Sequence, residues 1–122
     1  MEKDPIDLTS QLRVVFMTVP DVDSGRIMAR RVVGEKLAAC CNVIPGLTSV
    51  YRWDGELQED SEALLVFKTT EAALSALERR VMELHPYEVP EFLALPVTDG
   101  HGPYLRWVVG EVMEPGMPDE RQ

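Results

Sequence analysis

Apolar and polar positions divide this chain into segments with distinct periods. Leu12, Val14, Val15, Phe16, Met17 and Val19 form a β-rich run that Pro20 stops, which predicts a first strand. Asp21 and Asp23 then offer N-cap oxygens, and Ile27, Met28, Val32, Val33 and Leu37 recur near helical spacing. A helix over 24–37 follows, with Arg26, Arg30, Arg31 and Glu35 on its solvated side. Two strand-like runs, SVYRW and ELQEDSEALLVFK, flank Asp54 and Gly55. Asp-Gly suits a type I′ turn, which needs positive φ at both central residues, so a long antiparallel hairpin is predicted. Pro45-Gly46 predicts a bulge or bend in its first strand, because Pro cannot donate to a ladder. Thr69 or Thr70 then caps a second helix, with Ala73, Leu74, Leu77, Val81 and Leu84 at i, i+3/i+4 spacing, which ends before Pro86. The run 89–97 is bounded by prolines and belongs at a sheet edge. Residues 104–109 predict a short last helix with Tyr104 and Trp107 on one face.

The resulting order, β-α-β-β-α-β plus a terminal helix, is that of an α+β, ferredoxin-like split βαβ sandwich. Right-handed crossovers put the first two helices on one face of the sheet. The other face and the edges then need cover, and a long bent hairpin with Tyr51 and Trp53 near its tip would supply it by pairing with another subunit. Residues 12–112 are expected to form a single domain, with a flexible leader at 1–11 and a mobile tail at 113–122.

Charge and composition exclude several functions. The 122 residues are 45% apolar, enough for one core without disulfide staples, and the net charge is −9. Nucleic acid and anionic membranes both call for a basic face, so neither is an expected partner. No apolar run approaches the roughly 18 residues that span a bilayer, and MEKDPIDLTSQ is polar and acidic, unlike a signal peptide. The two cysteines, Cys40 and Cys41, are adjacent, a poor disulfide framework. A cytoplasmic protein is expected. On a strand the two thiols would look to opposite faces and would not clamp one metal together.

Several pieces closely resemble the CutA divalent-cation-tolerance family: EKLAAC at 35–40 with Asn42, IPG at 44–46, SVYRWDG at 49–55, FKT at 67–69, HPYEVP at 85–90 and YLRW at 104–107. The resemblance spans about residues 12–109. It implies a non-enzymatic, ferredoxin-like homotrimer similar in assembly to PII signalling proteins, cytoplasmic in bacteria and linked to tolerance of copper and other divalent metals. Two positions depart from some members: Met17 stands where they carry a cysteine, and Leu84 where they carry a second histidine.

The candidate metal ligands are therefore His85, Cys40 and Met17, with copper first because sulfur donors suit Cu(I), and other divalent cations after it. Each has a bland reading as well: a helix-capping imidazole, a small buried hydrophobe, a core thioether. His101, between glycines, is expected in an exposed loop. Tyr51, Trp53, Lys68, Tyr87, Glu88, Tyr104 and Trp107 are candidates for an intersubunit cleft, which interface packing would equally explain. Such a cleft favours a PII-like small-molecule sensor as the alternative function. Cys40, His85 and Asn42 contain the residue types of a thiol catalytic centre, but no nucleophile elbow, P-loop, dinucleotide fingerprint or zinc-hydrolase motif is present. An enzyme is not expected.

Overall fold

Alternation in β1 (Leu12–Val19) decides which side of the sheet is core: Val15, Met17 and Val19 are fully buried, while Val14, Phe16 and Thr18 on the other face are only partly covered. The computed structural model describes residues 8–113. Within them β1 is followed by α1 (Val22–Gly34), β2 (Cys40–Trp53), β3 (Glu56–Thr70), α2 (Leu74–Leu84), β4 (Leu93–Pro96) and α3 (Gly102–Glu111). The sheet order is β2-β3-β1-β4 with every pair antiparallel, the arrangement expected of the split βαβ plan. The proline-bounded run does lie at an edge, but only Leu93–Pro96 of it pairs, with β1 alone.

α1 and α2 cover one face. Their buried Met28, Val32, Leu77 and Val81 meet Val15, Met17, Leu65 and Phe67 from the central strands. α1 can approach closely because Gly25 has no side chain: a Cβ there would meet Leu65 Cδ2 at 3.0 Å and Val19 Cγ2 at 3.1 Å. Asp21 caps α1 by accepting from the Ser24 N–H at 2.7 Å, and this bond holds its carboxyl below the usual range. The helix stops three residues earlier than expected, at Gly34 rather than position 37. Lys36 takes a left-handed φ of 63°, and the Lys36 and Leu37 N–H groups return to the carbonyls of Val33 and Val32. Arg80 of α2 forms a two-pronged bond to Glu35, both contacts at 2.9 Å, locking the helices together at this corner. Thr70 serves the start of α2 indirectly, its hydroxyl accepting from the Ala73 N–H at 3.2 Å one turn before the helix.

A second core forms where β1 begins and β3 ends. Leu105 and Val108 of α3 and Val112 just after it pack there with Leu12, Ala39 and Ala73. Leu8 joins this cluster from a 3-10 turn at Leu8–Gln11, so the end of the expected flexible leader is ordered against α3. The rest of that leader, 1–7, and the expected tail from 114 lie outside the described residues. No described helix is long and apolar enough to cross a membrane.

Among the described residues, no element covers the remaining sheet face beyond the end where α3 packs on Leu12. Rows across the ladder place Leu95 beside Val14 and Leu93 beside Phe16, with Val66 and Leu64 continuing the surface into β3 and Ile44 into β2. Leu93 is 56% exposed and Ile44 45%. A contiguous apolar sheet face of this kind is unusual for a monomer in water.

Candidate functional site

The hairpin that shapes the site depends on two backbone devices. At its tip Asp54 and Gly55 have φ of 51° and 77°, the turn that Asp-Gly predicts. Nearer its root the register shifts between Ile44 and Leu47, with Gly46 at φ 79°. Ile44 pairs with Leu64 and Leu47 with Glu62, so Pro45 and Gly46 together oppose Ala63. The extra residue reverses the parity of β2. Before the bulge the even residues Asn42 and Ile44 share the open face with Val66 and Leu64; after it the odd residues Ser49, Tyr51 and Trp53 share that face with Asp60, Gln58 and Glu56. Without the bulge Tyr51 and Trp53 would point the other way.

On this face, along the outer arm of the hairpin beyond the bulge, lies a cleft of about 730 Å³ walled by β2 and β3 on one side and the α2–β4 connection on the other. Tyr51, Trp53 and Tyr87 supply aromatic surface, and Asp60, Glu62, Glu88 and Glu91 supply four carboxylates. Tyr51 donates its hydroxyl proton to Asp60, and Tyr87 donates to Glu62 at 2.7 Å. The Asp60 bond raises the Tyr51 hydroxyl above its ordinary range; burial, then the Glu62 bond, does the same for Tyr87. Both phenols stay protonated donors. Burial and the charge of Glu62 raise the Glu91 carboxyl. The cleft is thus a region of negative potential, with no Lys or Arg among the described residues that line it.

His85 sits beneath this cleft and is only 8% exposed. Its Nε2 lies 2.8 Å from the Thr18 carbonyl, and its Nδ1 accepts from the Tyr87 N–H at 3.0 Å. That pairing fits a neutral ring with its proton on Nε2, and it occupies both nitrogens. Tyr87 also lies against the imidazole, with ring centroids 4.6 Å apart. His85 therefore positions the wall of the cleft and, in this arrangement, presents no free lone pair.

The other proposed soft donors are elsewhere. Met17 is fully enclosed in the core beneath α1 and α2. Cys40 is on the opposite, open face, paired with Lys68, whereas Met17 pairs with Leu65. Three residues of strand separate these rows, about 10 Å. The fold does not bring His85, Cys40 and Met17 together, and among the described residues no three His, Cys, Asp or Glu side chains converge to hold a metal ion.

Cys40 belongs to a second polar cluster at the α3 end of the open face. Its Sγ lies 3.9 Å from the Tyr104 hydroxyl, and Lys68 donates to Asn42 beside it. Tyr104 in turn stacks at a tilt on Trp107, centroids 5.6 Å apart. Cys41 faces the core, where burial, reinforced by Cys40, pushes its thiol up to about 12. The proposed cleft residues thus split within one protomer: Tyr51, Trp53, Tyr87 and Glu88 line the cleft, while Lys68, Tyr104 and Trp107 do not. Asp60, Glu62 and Glu91 also line the cleft and were not among its candidates from sequence. What the bulge does is bring Tyr51 and Trp53 of β2 to the face that Asp60 and Glu62 of β3 already share, and the Pro45-Gly46 pair was the signal for it. His101 is exposed at the N-cap of α3 and makes no side-chain cap bond.

Comparison with known proteins agrees with this architecture. The family model described as CutA1 divalent ion tolerance protein matches residues 13–111. The chain is 53% identical over 95 residues to the divalent-cation tolerance protein CutA of Thermus thermophilus, covering 78% of this chain and 92% of that protein. It is 48% identical over 95 residues to the chloroplastic protein CutA of Arabidopsis thaliana, covering 78% of this chain but 52% of that longer relative. The crystal structure of CutA1 from Oryza sativa superposes with a TM-score of 0.84 at 44% identity, covering 88% of this chain and 99% of that one. With the strand order, the bulged hairpin and a match along nearly all of the described domain in agreement, the chain belongs to the CutA1 divalent ion tolerance family.

Proposed function

We propose that this protein is a non-enzymatic, cytoplasmic homotrimer that contributes to the response to metal ions by binding copper or other divalent heavy metals. The observation that carries the tolerance reading is the domain-long match to the divalent ion tolerance family. The uncovered apolar face, with Phe16, Leu93, Leu95 and Ile44, supports assembly, since burying such a face against further copies removes it from water. Cys40 and Cys41, free thiols on opposite faces of β2, are compatible with a reducing compartment.

For copper the three soft donors are not equivalent. Cys40 is half-buried and lies on the open face, so its thiolate is the sulfur most readily offered to Cu(I). His85 joins only by exchanging the Thr18 or Tyr87 bond for the metal, and Met17 only if the core opens. The test is calorimetric titration of the purified protein with Cu(I), Cu(II) and Zn(II), alongside thermal shifts. Saturable binding with stabilisation supports the reading; heats no larger than those of a carboxylate-rich control protein sink it.

The PII-like sensor reading has one observation in its favour, the aromatic-walled cleft. Its four carboxylates would repel nucleotide phosphates, so any small molecule it takes should be uncharged or cationic.

A further inference from the structure

The cleft beside the outer arm of the hairpin combines features that a metal site does not need. Its carboxylates are distributed around the walls rather than gathered: among the described residues no three acidic, His or Cys groups converge on one point. Asp60 and Glu62 are two residues apart on one face of β3, about 7 Å along the strand. The Tyr51 and Tyr87 hydroxyls each bond one oxygen of their carboxylate and fix it in place. The half-exposed rings of Tyr51, Trp53 and Tyr87 line the same cleft, together with Val50 and Val89. A compact inner-sphere ion has no use for aromatic wall, and phosphate or carboxylate ligands would meet only like charge.

We infer that this cleft binds a linear polyamine, its ammonium groups meeting the separated carboxylates and its methylene segments lying on the aromatic rings. Each physical feature then has a role. Ammonium groups spaced along a methylene chain match charges spaced along a strand, with charge-assisted bonds to Asp60, Glu62 and Glu91. Cations over Tyr or Trp faces gain further attraction, and a volume of about 730 Å³ lies within the range of small-molecule sites. This inference does not rest on the metal reading, and the two can fail separately.

The test is calorimetric titration of the assembled protein with spermidine, repeated with Mg²⁺ at equal ionic strength. Saturable spermidine binding is expected, with Mg²⁺ giving only weak, unsaturated heats. Glu62→Gln with Glu91→Gln should weaken binding about tenfold or more, the scale of losing charge-assisted bonds. Tyr87→Leu should weaken it severalfold without changing net charge. Removing the same charge from the helices, by Asp23→Asn with Glu78→Gln, should leave affinity unaltered. Circular dichroism and sedimentation of each variant separate loss of binding from loss of fold. No saturable heat in the wild type, full displacement by equimolar Mg²⁺, or equal weakening by the helix and cleft variants would each overturn the proposal.

Discussion

His85 and Thr18 are joined by a 2.8 Å hydrogen bond that ties the end of α2 to β1, and the second nitrogen of the same ring accepts from Tyr87 at 3.0 Å. One neutral imidazole thereby fixes the floor of the cleft and the loop that forms its wall. A histidine that looks like a ligand in sequence is here a cross-brace whose two bonds lie in a region largely closed to water.

His85→Ala should therefore cost stability whatever it does to metal binding. Truncation leaves the Thr18 carbonyl and the Tyr87 N–H without their partner, and a loss of about 2 kcal/mol or more is expected. Urea denaturation of the two proteins measures it. A variant as stable as the wild type would mean that the brace is unimportant.

The bulge gives a sharper test of how the hairpin builds the cleft. Deleting Gly46 should restore even parity along β2 and turn Tyr51 and Trp53 away from Asp60 and Glu62. Trp53 fluorescence and the oligomeric state should both change. Gly46→Ala keeps the residue count, and nothing lies within 4 Å of the added Cβ, so only the strain of a φ of 79° remains, about 1 kcal/mol. Unaltered fluorescence and assembly in the deletion would contradict the parity argument.

Much of this fold was legible because its signals are local. Asp54-Gly55 specified the turn, Pro45-Gly46 the bulge, Pro86 the end of α2 and the prolines around β4 an edge. The end of α1 was misplaced because its left-handed residue is Lys36, where a glycine would have marked the stop. The site was read less well for a different reason. Whether His85 offers a lone pair depends on Thr18, distant in sequence, and whether Lys68 joins Tyr51 depends on the two ends of one sheet face; periodicity reports neither.

Native thiol chemistry should distinguish the two cysteines. Cys41 faces the core with its thiol pushed up to about 12 by burial, so at pH 8 it holds almost no thiolate. Iodoacetamide followed by peptide mass spectrometry should find Cys40 modified well before Cys41, with the difference erased in denaturant. Equal rates in the native state would contradict opposite strand faces.

Assembly should depend on the open face. Phe16→Glu or Leu93→Glu would place a charge among Val14, Val66 and Leu95 without touching the α1–α2 core, and sedimentation velocity should then find monomers. Trp53→Ala, nearer the hairpin tip, should loosen the proposed trimer, truncation of an aromatic anchor at a subunit contact costing about 2 kcal/mol or more. A wild type that sediments as a monomer at micromolar concentration would remove the trimer altogether.

Titration with Cu(I) of the wild type against Cys40→Ser and His85→Ala tests the proposed copper site most directly. Saturable binding is expected in the wild type, lost in Cys40→Ser, and changed much less in His85→Ala, whose ring is already committed to Thr18 and Tyr87. Equal, unsaturated uptake by all three proteins would contradict it, because copper would then be held only by scattered surface carboxylates.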